Sequence, residues 1–186
     1  MSQLTQRCDE IIRRLPMGAC VAAEVGVWCG ELSELLLRRH GGLTLLMVDA
    51  WLSAPPDSSY GRSGAAIAKM TQEQMDAALE EARTRTTFAG PRALIMHGDS
   101  AEMAARVADG PLDHAFIDAD HSYEGVTADI EAWLPRVRRG GWIGGHDYAH
   151  PNQGDVEAAV TNYRAAHAVT SRLHRGMART WFWRVR

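Results

Sequence analysis

The stretch ACVAAEVGVWCGELSELLLRRH, Ala19 to His40, passes from an apolar run through two glycines into leucines at helical spacing. The apolar run has the length of a buried strand, and the basic end before Gly41 suits a helix C-terminus. A strand, a glycine turn and a helix therefore follow one another, and this unit is typical of parallel sheets.

The same alternation continues along the chain. Further strands are predicted at LTLLMVDAW, RALIMHG, LDHAFIDAD and GGWIGGHDY, with helices between them. After the helix DVEAAVTNYRAAH, the segments AVTSRLH and TWFWRV are joined by a connection too short for a crossover helix, which predicts an antiparallel hairpin. The expected fold is α/β, a mostly parallel seven-stranded sheet with an antiparallel C-terminal hairpin and helices on both faces.

The size of the chain predicts a single domain. It has 186 residues, of which 46% are hydrophobic, enough for one well-buried core. Residues 1–16 are predicted to form an amphipathic lead-in helix, because Leu4, Cys8, Ile11 and Leu15 recur at helical spacing before Pro16.

The charge balance favours a small-molecule partner. The 20 basic residues face 23 acidic ones, for a net charge of -3 without a basic block, so neither nucleic acid nor a membrane is expected as a partner. The three cysteines lack C-x-x-C spacing and are predicted to be reduced core residues of a cytoplasmic protein. The charged start of the chain is unlike a signal peptide, and Glu24 interrupts the first apolar run, so a membrane span is not expected.

Four predicted strand ends carry an acid, and ligands of open parallel sheets bind outside these ends. Glu24, Gly26 and Gly30 stand at E-x-G-x-x-x-G spacing, where the glycines permit a tight turn and close approach of a ligand. Asp49 ends the next predicted strand, at the place where a carboxylate can accept from both hydroxyls of a ribose. The pattern predicts an adenosine-containing cofactor.

The next strand end and the turn refine that prediction. Asp99 could accept from an adenine amino group, whereas Ser100 is predicted to be a helix N-cap. Trp28 fills the place where a dinucleotide site has a glycine, and Glu24 and Glu31 would repel phosphates. A cofactor without phosphates, S-adenosylmethionine, is therefore expected.

A second group of acids follows the last two parallel strands. Asp118 and Asp120 are two apart on the predicted strand, so that their side chains would share one face, and His146 and Asp147 close the neighbouring strand. Carboxylates favour Mg²⁺ or Mn²⁺ and an imidazole widens the choice, so Mg²⁺ is expected first and Mn²⁺ second. The alternative is that these carboxylates cap helices or form surface ion pairs.

Taken together, AEVGVWCGELS, MVDAW, GDS, FIDADHSYEGVTADIEAW and GGWIGGHDY resemble the class I S-adenosylmethionine-dependent methyltransferases. The resemblance covers about Ala22 to Tyr148 and is strongest to a bacterial branch that includes the macrocin and related sugar or natural-product O-methyltransferases. It implies methionine contacts at the start of the turn, ribose contacts at Asp49 and adenine contacts at Asp99. The full predicted cofactor set is Glu24, Gly26, Val27, Trp28, Gly30, Asp49, Ala50, Asp99, Ser100 and Asp118.

The resemblance also implies a metal site and a base. Magnesium-dependent members carry an aspartate at the match of Asp118 and an acidic pair at the match of His146 and Asp147, so these three are the predicted ligands, with His146 a departure. Asp120, favoured by the resemblance, and His121, whose usual pKa is nearer neutrality, are the two candidates for general base. Ser122 is a candidate N-cap of the helix that follows.

The predicted reaction is O-methylation of a hydroxyl on a sugar or another natural product. A metal-dependent hydrolase or hydroxylase and a non-catalytic nucleotide-binding module are the alternatives. The loop from Leu52 to Gly64 and the helix up to Phe88 are predicted to shape the acceptor pocket, which is open or completed by the second subunit of a homodimer.

Overall fold

The computed structural model describes residues 1–55, 57–58, 61, 67–151 and 155–186. Part of the loop predicted to border the acceptor, Leu52 to Gly64, lies outside these ranges. Among the described residues, none of the helices is both long enough and apolar enough to cross a membrane.

The described residues contain a seven-stranded sheet. Its strands are β1 (Cys20–Val25), β2 (Leu43–Asp49), β3 (Ala93–His97), β4 (Leu112–Ile117), β5 (Val137–Gly145), β6 (His174–Arg175) and β7 (Trp181–Arg184). The order across the sheet is β3-β2-β1-β4-β5-β7-β6, in which the first five strands run parallel. β7 is antiparallel to β5, and β6 is antiparallel to β7. The predicted fold class is confirmed.

The order of the strands reverses at β1. From β1 the chain builds β2 and β3 on one side, and then returns to build β4 and β5 on the other. The carboxyl ends of β1 and β4 therefore border the crevice at which ligands of such sheets bind.

Helices cover both faces of the sheet. They are α1 (Gln3–Ile12), α2 (Glu31–Arg39), α3 (Gln72–Thr86), α4 (Ser100–Ala105), α5 (Tyr123–Trp133) and α6 (Asp155–Ala166), with short 3₁₀ turns at Ile67–Lys69, Thr87–Arg92 and Leu134–Arg136. The first three contribute to one apolar cluster and the last three to another. Strand β1 supplies both clusters, because Ala22 and Ala23 point to opposite faces. All three cysteines are buried and free, as predicted.

Several predicted strands end earlier than expected, and the differences at β4 and β6 are the most consequential. β4 ends at Ile117, so Asp118 and Asp120 follow the strand instead of lying on it. By that point β1 has turned away at Gly26, whose φ is 91°. Of AVTSRLH only His174 belongs to a strand, because the segment before it is held by side chains: Arg164 donates to the carbonyl oxygens of Val169 and Ser171.

Candidate active site

Backbone hydrogen bonds fix the residues just beyond the central strands. The amide of Gly26 donates to Val48 at 2.8 Å, that of Asp118 to Val25 at 2.7 Å and that of His146 to Ile117 at 3.0 Å. Each bond continues the strand pairing by one residue, so the ends of β1, β4 and β5 meet at one edge of the sheet.

Two carboxylates and two imidazoles converge at this edge. His146 Nδ1 lies 3.3 Å from Asp118 Oδ1 and 3.1 Å from Asp147 Oδ1. His121 Nε2 lies 3.4 Å from Asp118 Oδ1 and 3.5 Å from Asp147 Oδ2. Asp147 adopts a left-handed backbone with φ of 57°, which turns the chain sharply after β5. The structure thus brings together Asp118, His146 and Asp147, as the sequence predicted, and adds His121.

A guanidinium from the N-terminal helix completes the cluster. Arg7 Nη1 donates to Asp118 Oδ2, and Arg7 Nη2 lies 3.0 Å from His146 Nε2. Sequence reasoning missed Arg7, because the helical pattern of α1 gives no signal for a contact 111 residues away along the chain.

The Arg7 contact decides how His146 is protonated. A guanidinium can only donate, so Nε2 must accept, and the ring proton lies on Nδ1, facing Asp118 and Asp147. Burial acts to lower the pKa of His146, and its two carboxylate partners raise it, with a net rise. A doubly protonated ring, however, would direct its second N–H at the Arg7 guanidinium, so the contact geometry favours the neutral ring. Both ring nitrogens of His146 are therefore engaged within the protein.

The electrostatics of the cluster favour ionised carboxylates. Burial acts to raise the pKa of Asp118, but hydrogen bonds from His121 and His146 and the charge of Arg7 outweigh it, so this pKa lies well below its usual range. The pKa of Asp147 is also lowered, because contact with His146 overcomes its burial. For His121 burial acts to lower the pKa, and the two carboxylates raise it above the usual value.

Asp120 is hydrogen-bonded to a residue outside this cluster. Its Oδ1 accepts from the amide of Ser122 at 2.8 Å, and its side chain packs against Gly125, where an added Cβ would lie 2.5 Å from Asp120 Cγ. The expectation that Asp118 and Asp120 share a strand face is wrong, because the strand has already ended. Asp120 instead stabilises the entry to α5, whose predicted N-cap, Ser122, is confirmed by its bond from the Gly125 amide.

The turn after β1 lies directly beside the cluster. Gly26 approaches the backbone of Asp118 so closely that an added Cβ would lie 2.2 Å from the carbonyl oxygen. Gly30, with φ of 79°, is similarly close to Ala82 of α3. Trp28 has φ of 50° and its residue is 37% exposed, so an aromatic ring borders the solvent at this turn.

Asp49 holds this turn in place. Its Oδ2 accepts from the amides of Val27 and Trp28, each at 2.8 Å, and its Oδ1 accepts from the amide of Trp51 at 2.8 Å. Trp51 is fully buried and donates from Nε1 to the carbonyl of Trp28 at 2.8 Å, while the carbonyl of Ala50 lies 3.0 Å from His97 Nε2. Asp49 therefore has a structural role besides the ribose contact, which stays a prediction.

Glu24 points beneath the turn. Its residue is 2% exposed, and its Oε2 accepts from Ser33 Oγ of α2. Burial raises the pKa of Glu24 to about 8, because the Ser33 hydrogen bond offsets only part of the desolvation. The carboxyl is thus mostly protonated near neutral pH, and its predicted contact with the methionine part stays a prediction.

The predicted adenine end is arranged differently from expectation. Asp99, not Ser100, is the N-cap of α4, because its Oδ1 accepts from the amides of Ala101 and Glu102. Ser100 Oγ instead donates to Asp129 and accepts from Trp133 Nε1 at 2.9 Å. The expected cap was therefore wrong by one residue. The predicted adenine contact of Asp99 is not tested by these bonds.

The donor atoms of the cluster fit a divalent cation, but with His121 as a ligand in place of the predicted His146. Single donor atoms of Asp118, His121 and Asp147 all lie within 4.8 Å of one another. His121 Nε2 lies 3.4 Å from Asp118 Oδ1 and 3.5 Å from Asp147 Oδ2, spacings that suit two ligands each about 2.0–2.2 Å from one ion. His121 takes the place predicted for His146, whose ring nitrogens are already engaged by Arg7 and the carboxylates.

Comparison with known proteins gives one family and many similar folds. A family model described as a methyltransferase domain matches residues 23–148. The structure of the O-methyltransferase NovP is 22% identical and aligns over 98% of this chain and 77% of that one, with a TM-score of 0.61. CalS11, a calicheamicin methyltransferase, is 18% identical and aligns over 97% of this chain and 77% of that one, with a TM-score of 0.70. Cofactor-bound Rv0187 from MTB is 18% identical and aligns over 98% of this chain and 80% of that one, with a TM-score of 0.64. No curated protein matches the sequence significantly.

Proposed function

Because the chain belongs to the methyltransferase-domain family, whose model matches residues 23–148, we propose that it methylates a hydroxyl oxygen of a small molecule, with S-adenosylmethionine as donor. The proposed acceptor is a sugar or another natural product. O-methylation gains support from the similar folds of NovP, an O-methyltransferase, and CalS11, a calicheamicin methyltransferase.

One observation carries the proposal: the glycine turn and the cluster of carboxylates and imidazoles are in direct contact. Gly26 lies against the backbone of Asp118, and Asp118 lies against His121 and His146. A donor bound at the turn would therefore present its methyl group beside groups that can orient a hydroxyl and accept its proton. Much of the rate enhancement in such a transfer comes from holding the two reactants in line.

His121 is the proposed general base. With its Nε2–H directed at Asp118 and Asp147, the lone pair lies on Nδ1, and no described residue hydrogen-bonds to that buried atom. The acceptor oxygen attacks the methyl carbon, the carbon–sulfur bond breaks with its electrons passing to sulfur, and the hydroxyl proton passes to Nδ1. The two carboxylates then stabilise the imidazolium. Asp120, bonded to Ser122, is the less favoured of the two predicted bases.

A divalent cation would be held by Asp118, His121 and Asp147 and would lower the pKa of the acceptor hydroxyl. The imidazole among these donors favours Mn²⁺ over Mg²⁺. If Nε2 of His121 bound the cation, the ring proton would lie on Nδ1, and Nδ1 could not accept the proton of the acceptor hydroxyl. His121 can therefore be a cation ligand or the general base, but not both at once. The predicted homodimer and cytoplasmic location remain part of the proposal.

The test combines cofactor binding with turnover. We expect the protein to bind S-adenosylhomocysteine in a calorimetric titration and to transfer a labelled methyl group from S-adenosylmethionine to members of a panel of sugars and phenols, detected by mass spectrometry. His121→Gln should lower kcat/KM by about 100-fold, the usual contribution of a general base, at unchanged cofactor affinity.

The matched control is His167→Gln, which replaces an exposed histidine stacked on Tyr163 in α6 and should leave activity unchanged. Absence of S-adenosylhomocysteine binding would defeat the proposal as a whole and favour a hydrolase. Binding without turnover on any acceptor would favour a non-catalytic module. Equal rates for His121→Gln and the wild type would exclude His121 as the base.

A further inference from the structure

We infer, building on the proposed function, that Arg7 is an internal competitor of a divalent cation at the candidate active site. The guanidinium occupies Asp118 and supplies positive charge where a cation would otherwise do so. The protein with Arg7 in place therefore binds divalent cations weakly, and withdrawal of Arg7 creates the tight site.

The placement of Arg7 is the first observation. Helix α1 has its own acids, and Arg13 and Arg14 both pair with Glu10 on the same helix. Arg7 instead reaches across to Asp118, with side chains that are only 17% and 13% exposed. The arrangement therefore brings a guanidinium into the one group of described residues that could hold a metal ion.

The second observation is how completely Arg7 uses the ligands. Its Nη1 contacts Oδ2 of Asp118, which leaves only Oδ1 for a cation and rules out bidentate binding. Its Nη2 requires a lone pair on His146 Nε2 and thereby places the His146 proton on Nδ1, directed at the same carboxylates. Arg7 thus removes one oxygen and one imidazole from the available donors.

Charge is the third observation. Asp118 and Asp147 together carry two negative charges, and Arg7 cancels one of them. A divalent ion among these ligands would also lie close to the guanidinium. A unit charge about 5 Å from a divalent ion weakens binding at least about tenfold, even at the dielectric constant of water.

The fourth observation is that Arg7 is incompletely satisfied where it lies. Its Nε is buried and has no hydrogen-bond partner among the described residues. A buried N–H without a partner is costly, so the guanidinium gains less from this position than a fully paired one would. This cost makes its displacement easier.

The experiment measures Mn²⁺ affinity directly, by electron paramagnetic resonance of free Mn²⁺, in the wild type and in Arg7→Gln. We expect the wild type to bind weakly and Arg7→Gln at least about tenfold more tightly. Arg7→Lys keeps the charge and should stay within about threefold of the wild type. Unchanged or weaker binding by Arg7→Gln would overturn the inference and make Arg7 a group that supports the ligands.

Arg13→Gln is the matched control, because it removes the same charge from the C-cap of the same helix, at a residue paired with Glu10. It should leave Mn²⁺ affinity unchanged. Arg7→Met, which keeps the aliphatic stem, is a second variant in case Arg7→Gln does not fold, and should bind Mn²⁺ as tightly as expected for Arg7→Gln.

S-adenosylhomocysteine titrations on the same proteins separate this inference from the proposed function. If every variant binds the cofactor product but Mn²⁺ affinity does not change, the inference alone is wrong. If the wild type fails to bind S-adenosylhomocysteine, the proposed function is wrong whatever the Mn²⁺ result. If no variant binds Mn²⁺ at millimolar concentration, both the inference and the cation are excluded, while methyl transfer is not.

Discussion

Glu24 shows how burial changes the chemistry of one residue. Its side chain lies beneath the glycine turn with Ser33 as its hydrogen-bond donor, and desolvation raises its pKa to about 8. Burial and the nearby charges of Asp118 and Asp49 outweigh the Ser33 hydrogen bond and the charge of Arg7, so the folded protein favours the protonated form. The acid at the end of β1 therefore acts as a neutral hydrogen-bonding group at neutral pH.

This protonation links stability to pH. Glu24 has its ordinary pKa of 4.5 in the unfolded chain and a pKa of about 8 in the folded protein. At any pH between these two values the folded protein keeps the Glu24 proton, whereas the unfolded chain has released it. The stabilising contribution is full below the lower value and is lost as pH rises through the upper one. Between pH 5 and pH 8 the wild type should lose up to about 4 kcal/mol from this group.

Glu24→Gln should remove that dependence, because a neutral amide can still bond to the Ser33 hydroxyl. Urea denaturation of both proteins between pH 5 and pH 8 measures how the free energy of unfolding depends on pH. Glu24→Gln should be the more stable protein at pH 8. An equal slope in the two proteins would show that Glu24 is already ionised in the fold.

At the scale of elements, the turn between β1 and α2 is fixed from two sides. Asp49 accepts from the amides of Val27 and Trp28, and Gly26 lies against the backbone at the end of β4. These contacts tie three neighbouring strands together at the edge where the cofactor is expected. Trp28, whose amide is one of these donors, has a left-handed backbone.

Gly26→Ala should disrupt this edge. The new Cβ would lie 2.2 Å from the Asp118 carbonyl oxygen at a residue with φ of 91°. We expect a loss of at least about 2 kcal/mol in unfolding free energy and more than tenfold weaker S-adenosylhomocysteine binding. Gly18→Ala is the control, since a Cβ added at Gly18 would meet nothing within 4 Å, and it should be neutral. Equal stabilities of the two variants would contradict the close approach.

At the scale of the whole molecule, α1 connects the two ends of the chain. Glu10, whose side chain is 4% exposed, pairs with Arg14 and accepts from the amide of Met177 between β6 and β7. Arg14 in turn lies 3.8 Å from the ring centre of Phe182 in β7. The same helix presents Arg7 to Asp118, so the position of Arg7 depends on this attachment.

Glu10→Ala should therefore weaken the fold and the site together. Removing one partner leaves the largely buried Arg14 uncompensated, which costs about 3 kcal/mol in unfolding free energy. Glu80→Ala breaks an exposed pair with Arg83 and should cost less than about 1 kcal/mol. Denaturant midpoints compare the stabilities of Glu10→Ala and Glu80→Ala. A similar loss of unfolding free energy in the two variants would mean that the Glu10 contacts contribute little to stability.

Much of the fold was predictable from local pattern. Apolar runs of strand length, helical spacing of leucines and the glycine turn depend on neighbouring residues, and they led to the correct sheet and to the edge at which Asp118, His146 and Asp147 meet. Boundaries were harder, because β4 stops where its neighbour turns away at Gly26, and that depends on pairing between distant segments.

The sequence by itself determined the α/β architecture and the meeting of Asp118, His146 and Asp147, since parallel strands bring their carboxyl ends to one edge. Only the tertiary structure decided that Asp120 turns to Ser122, that His121 joins the cluster and that Arg7 occupies Asp118. Side-chain direction after a strand ends, and contacts between residues 111 apart, follow from packing in three dimensions. Local periodicity carries no information about either.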